Sequence, residues 1–167
     1  MPHPTLHLLC GKIASGKSTL AAKLADAEGT VLIAEDTWLA TLYPNEMATP
    51  QDYLRCAAQL KEAMGPHIAL LLKNGVSVVL DFQANTVESR GWMRGIIDQT
   101  RTEHQLHVLT PPDELCLERL RERNAKGIHP FTVSEEQFHR FARHFSPPTP
   151  EEGFNLVSHN DPTRDGL

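Results

Sequence analysis

GKIASGKS, residues 11–18, is the stretch on which the fold of this chain turns. Two glycines, a lysine and a serine stand at the spacing G-x-x-x-x-G-K-[ST]. Gly11 and Gly16 permit backbone angles that turn successive N–H groups inward around an anion, and a helix beginning at Lys17 adds its positive end. Lys12, Ala14, Ser15 and Thr19 complete that cradle. The Lys17 ammonium is then placed for the β- and γ-phosphates of a nucleoside triphosphate, and the Ser18 hydroxyl for a Mg²⁺ ion. Chance alone supplies such a match in a chain of this length about once in 200 cases. The flanks lower those odds. TLHLLC, residues 5–10, reads as a buried strand ending at glycine, and residues 17–28 carry Leu20, Leu24 and several alanines at helical spacing before Gly29. Strand, loop and helix follow in the order that a phosphate loop needs.

The pattern continues outward. Residues 30–34 and 76–80 are apolar runs that end at acids, Glu35-Asp36 and Asp81, and residues 105–109 give a fourth strand. Helices are expected at 37–43, at 51–74 with a kink or break at Gly65-Pro66, and at 86–101, where Gly91 and Gly95 would allow close packing on a sheet. A fifth helix starts with Thr110 as cap and runs to about residue 125. A sixth opens at the capping box Ser134-Glu-Glu-Gln137, with Phe138, Phe141 and Phe145 on a core-facing side. Residues 154–158 make a short fifth strand, and the polar stretch 159–167 reads as a loose tail. Strands alternating with helices imply parallel crossovers, hence one α/β sandwich domain over residues 1–158 with helices on both faces. Ligands of such folds bind beyond the carboxyl ends of the strands, where the phosphate loop, Asp36 and Asp81 all fall.

Composition narrows the function. The chain has 167 residues, 40% hydrophobic and 22% charged, with a net charge of -5. The acidic balance disfavours tracking along long nucleic acid, which calls for a basic stripe. No apolar run is long enough to span a bilayer, and the opening residues read as a strand rather than a leader, so a cytoplasmic protein is expected. Three scattered cysteines, Cys10, Cys56 and Cys116, suit free thiols in a reducing compartment. Nine histidines are present without zinc-type spacing.

Around the loop, Asp36 is the candidate base that takes or orients the proton of a hydroxyl acceptor, with a helix cap as its other reading. Glu35 reads as a solvated or packing-edge acid. Asp81 is placed as the acid that holds Mg²⁺ through water or bonds the loop serine, or else as a turn former. Arg119 and Arg123, four apart, share a helix face while Arg121 points elsewhere. They serve a phosphate-neutralising lid, or are answered on the surface by Glu118 and Glu122. Arg90 is a candidate substrate or phosphate contact, or an ordinary exposed helix arginine.

GKIASGKSTLAAKLA, AEDTWL, VVLD followed by TVESR, the E-x-x-x-R-L-x-x-R-N stretch, FTVSEEQFHRF and PPTPEE together resemble the bacterial P-loop kinase-like proteins of the AAA family. That group is similar to polynucleotide 5′-hydroxyl kinases, zeta toxins and chloramphenicol phosphotransferase. The resemblance spans residues 5–157. It implies a three-layer P-loop NTPase sandwich with a mostly parallel, five-stranded sheet in kinase-type order, ATP with Mg²⁺, a base at Asp36, and a helical lid carrying Arg119 and Arg123. Polynucleotide kinases commonly carry an Arg-Asp pair after the second strand; here Ala34-Glu35 precedes Asp36. The expected function is ATP-dependent phosphorylation of a small-molecule hydroxyl. A polynucleotide or nucleotide-sugar acceptor, and an ATP-binding switch without an acceptor, are the alternatives.

Overall fold

The computed structural model describes residues 3–127 and 131–159. Short apolar runs rich in leucine and valine form five strands, β1 (Thr5–Cys10), β2 (Thr30–Ala34), β3 (Ser77–Gln83), β4 (Glu103–Leu109) and β5 (Leu156–His159). They pair in the order β2-β3-β1-β4-β5, every neighbour parallel. Parallel pairing requires crossovers. These contain α1 (Lys17–Ala25), α2 (Glu35–Leu42), α3 (Pro50–Lys73), α4 (Val87–Thr100), α5 (Asp113–Lys126) and α6 (Glu135–Arg143).

Alternation along the central strand builds the two faces. Leu6, Leu8 and Cys10 join Val78 and Leu80 in the main core, to which α3 gives Leu60, Ile68 and Leu72 and α4 gives Met93, Ile96 and Ile97. Leu9 and Val79 face the other way, against Ala21 of α1. Helices α5 and α6 form a third small core of Cys116, Leu120 and Phe138 that closes on Ile13 and Ala14 of the phosphate loop. The expected three-layer sandwich is therefore present, and the two helices beyond β4 rest directly on residues 13 and 14.

Several expectations are corrected. Helix α3 runs unbroken for 24 residues through Pro66. Pro66 and Glu62, whose carbonyl it leaves unbonded, both face solvent, while Leu60, Met64, Ile68 and Leu72 hold the buried side in place. Gly91 and Gly95 meet nothing: a Cβ on either would have no atom within 4 Å. The close approach is at Gly65 instead, where a Cβ would lie 3.4 Å from Trp92 Nε1 of α4. Pro112, extended at ψ 148°, caps α5 in place of Thr110, because the Pro111-Pro112 pair keeps the backbone out of the helical region. Helix α1 ends at Ala25, short of residue 28. Phe138 is buried, but Phe141 is 53% exposed and does not belong to the core. His159 is the last residue of β5 rather than the first of a tail, paired in register with Leu109 and bonded to His107. Residues 160–167, the remainder of that expected tail, lie outside the described residues.

Candidate functional site

At the carboxyl end of β1 the chain makes the turn that the two glycines allow. Gly16 adopts φ +100° and Ala14, unusually for a residue with a side chain, φ +60°. A Cβ on Gly11 would stand 2.4 Å from Ser15 Oγ and 3.0 Å from the Leu109 carbonyl, so only glycine fits there. Helix α1 starts at Lys17 with no side-chain cap, which leaves its first N–H groups available to an anion. Ser15 Oγ, buried inside the turn, has no hydrogen-bond partner among the described residues. Lys17 Nζ donates to the carbonyls of Gly11 and, at 2.9 Å, Lys12. Burial draws its pKa down to about 8, while the negative charges of Asp81 and Asp36 act to hold it up. Lys12 points out of the loop and pairs with Asp113 at the start of α5, Nζ to Oδ1 2.9 Å. Thr19 is exposed on the first turn of α1.

Strand β3 runs two residues past the expected Asp81, to Gln83, and its register against β1 slips there. Leu8 pairs with Leu80 but Leu9 with Gln83, so Asp81 and Phe82 are extra residues at the mouth of the loop. Asp81 Oδ2 accepts from Ser18 Oγ at 3.0 Å. This pair offers oxygen ligands only, the donor type that suits Mg²⁺, an ion commonly held by one or two protein oxygens together with substrate phosphates. No group of three or more acidic, histidine or cysteine side chains among the described residues could hold a metal by itself.

Ala34 lies opposite Asp81, and α2 begins at the next residue. Asp36 therefore sits inside the first turn of α2, where the helix dipole favours an acid, and Ala34 takes the cap position. The expected cap role of Asp36 is excluded. Of the two readings of Glu35, the solvated one is excluded: it is 5% exposed, and burial raises its pKa to about 7, reinforced by the charges of Asp36 and Asp81 and opposed by Lys61. The Tyr53 hydroxyl faces its carboxylate.

The arginine face forms as the spacing predicts. Arg121 turns outward to Glu135, whereas Arg119 and Arg123 are half-buried and neither makes an ion pair among the described residues. Arg119 Nη1 lies 3.6 Å from where a Gly16 Cβ would stand, so its guanidinium rests over the phosphate loop. Arg123 Nε is buried without a hydrogen-bond partner among the described residues. Burial lowers the pKa of Arg123, and the charge of Asp36 acts against that shift.

Arg90 departs from its expected role. It is 1% exposed and fully engaged: Nε and Nη2 donate to the two Glu152 carboxylate oxygens at 2.7 and 3.3 Å, and Nη1 donates to the carbonyls of Ala84 and Ser146. It fastens the segment after α6 to the start of α4 and is not aimed at a ligand. The contact that sequence reasoning missed is Asn85, whose carboxamide bonds both the N–H and the carbonyl of Gly11. Only its place, four residues after Asp81, hinted at it.

The sequence pattern of the family described as AAA domain matches residues 6–148. Among solved structures, a suspected kinase from Chloroflexus aurantiacus aligns with a TM-score of 0.78 at 19% identity, covering 100% of this chain and 90% of that one. Kti12 of Chaetomium thermophilum, solved with ADP-AlF3, aligns at 0.70 with 15% identity, covering 93% and 88%. The Mycobacterium tuberculosis APS kinase CysC, solved with AMPPNP and APS, aligns at 0.58 with 17% identity, covering 96% and 91%. At these identities the likeness is one of fold, and it is the P-loop kinase-like fold. No curated protein matches the chain.

Proposed function

The chain belongs to the AAA-domain family, and from that premise we propose that it is an ATP-dependent phosphotransferase whose acceptor is a hydroxyl of a small molecule. The observation that carries this reading is the meeting of two half-sites at one sheet edge. The phosphate loop, with Lys17 and the Ser18–Asp81 pair, is a donor half; Asp36, opposed by Arg123, is an acceptor half. A plain nucleotide switch has no use for the second.

In the proposed reaction the N–H groups of residues 14–18 and the Lys17 ammonium bind the β- and γ-phosphates. Ser18 and Asp81 would hold Mg²⁺, which when bound would supply positive charge to the phosphates. Arg119, lying over Gly16, and Arg123 supply positive charge to the transferring phosphoryl group. Asp36, in the first turn of α2 and coupled to the charge of Arg123, accepts or orients the acceptor proton.

The test is incubation with γ-labelled ATP and Mg²⁺ against a panel of sugars, nucleosides, amino alcohols and single-stranded oligonucleotides bearing a 5′-hydroxyl. Label is expected in a small-molecule product. Label only in the oligonucleotide, with binding that weakens steeply with salt, moves the acceptor to nucleic acid. Label only in inorganic phosphate, at a rate no panel member changes, overturns the transferase reading.

A further inference from the structure

We infer that Asn85 is a positioning residue for nucleotide binding, its carboxamide holding the first peptide of the phosphate loop so that Lys17 is free to leave it. The inference rests on the proposed role of Lys17 as a phosphate ligand.

Gly11 N–H donates to Asn85 Oδ1 at 2.9 Å, and Asn85 Nδ2 donates to the Gly11 carbonyl at 2.8 Å. A single side chain thus satisfies both polar groups of one buried residue, as a neighbouring strand would. Only one orientation of the amide allows both bonds, so the geometry itself fixes which end is oxygen. The same Gly11 carbonyl also accepts from Lys17 Nζ, whose other acceptor is the Lys12 carbonyl.

An ammonium in this position has two uses. Without an anion it is stabilised by two main-chain carbonyls of its own loop; with one, it must turn to the phosphates. A buried carbonyl abandoned by its donor costs about as much as a lost hydrogen bond. Asn85 removes that cost at Gly11, because the carbonyl keeps the Nδ2 donor after Lys17 departs. It also draws the Gly11 N–H to its own Oδ1, which leaves the later N–H groups of the loop to surround the anion.

Asn85 is itself held. Its main-chain carbonyl accepts from Ser146 N at 2.8 Å, the Ser146 carbonyl accepts from Arg90 Nη1 at 2.7 Å, and Arg90 is locked to Glu152. A part-buried network thereby holds the main chain from which the amide projects. This accounts for an asparagine rather than an aspartate: a carboxylate would accept from the Gly11 N–H, but would present a second acceptor to the Gly11 carbonyl and a negative charge to the phosphates.

The experiment is calorimetric titration of MgADP into the wild-type chain, Asn85→Ala and Asn85→Asp, near pH 7.5 and near pH 4.5, with amide hydrogen exchange at Gly11 measured without nucleotide. Asn85→Ala should weaken ADP binding about tenfold or more and speed exchange at Gly11. Asn85→Asp should be at least as weak at the higher pH. Its deficit against wild type should narrow at the lower pH, where a protonated carboxyl regains an O–H donor for the Gly11 carbonyl. Should the alanine variant fail to fold, the same-sized aspartate carries the test. Wild-type affinity in Asn85→Ala, or an aspartate deficit equal at both pH values, overturns the inference and leaves the proposed function standing. Failure of the wild-type chain to bind ADP overturns both.

Discussion

Lys17 is pulled in two directions: burial depresses its pKa to about 8, while the nearby acids resist. Anionic phosphates favour the protonated form, so nucleotide affinity should be full below pH 8 and fall by up to about tenfold per unit above it. A fluorescence titration of ADP binding from pH 7 to pH 10 checks this, and a flat profile would argue against contact between the ammonium and the phosphates. Glu35 shifts in the opposite sense. Its folded pKa, raised to about 7 from an ordinary 4.5, makes its contribution to stability fully present below 4.5 and lost as pH rises through 7. Glu35→Gln should therefore stabilise the fold relative to wild type above pH 7, by up to about 3 kcal/mol, and give little difference near pH 4, as read from urea unfolding. At this scale the sequence was legible where chemistry depends on spacing: the loop residues, Ser18 with Asp81, and the division of Arg119 and Arg123 from Arg121. It misread Arg90, left Glu35 between solvent and the packing edge, and passed over Asn85. Their roles depend on which distant segments press against them, and residues 146 and 152 lie far along the chain from 85 and 90.

Elements were read well where local signals and tertiary needs agree. The capping box at Ser134 and Gln137 forms as written, and β1 and β2 have the bounds expected from their apolar runs. The misreadings have physical causes. Pro66 was weighed by its own helix-breaking tendency, which the packing of α3 against β3 and α4 overrides when the missing bond faces water. Strand β3 continues past Asp81 because it slips register against β1, and nothing in the residue types announces such a slip. The segment after α6 is an element-scale dependency. It is held through Arg90 to the start of α4, and Arg90 is buried with four donated hydrogen bonds. Arg90→Ala takes the cation from Glu152, whose Oε2 keeps its Thr149 donors, and unbonds two carbonyls, so unfolding in urea should show a loss of about 2–4 kcal/mol. A loss under 1 kcal/mol would mean that the pair contributes little to the fold.

Across the whole molecule, the sheet order places the phosphate loop, Asp36 and Asp81 on one edge, since β1, β2 and β3 all end there. That much follows from alternation of strands and helices together with the phosphate motif. The order β2-β3-β1-β4-β5 came with the resemblance, because hydrophobic patterns alone do not say which parallel strands are neighbours. A second whole-sheet feature had no sequence signal at all. His7, His107 and His159 form a diagonal chain across β1, β4 and β5, with ring nitrogens 3.0 Å apart at both steps. Burial, aided by repulsion from its two neighbours, lowers the His107 pKa to about 4. A histidine held neutral contributes stability present above its unfolded pKa, about 6.5, and lost as pH falls toward 4. His107→Gln should flatten the acid side of the stability profile by up to about 3 kcal/mol, measured as the difference from wild type between pH 7 and pH 4.

The account stands on the division of one sheet edge into a donor half and an acceptor half, and Asp36→Asn separates them. Nucleotide affinity and phosphoryl transfer to the preferred acceptor should be measured side by side in this variant and in the wild-type chain. The expected result is an ADP dissociation constant within about twofold of wild type with transfer reduced about 100-fold or more. Transfer at the wild-type rate would contradict the assignment of the base, and loss of nucleotide binding would contradict the division itself.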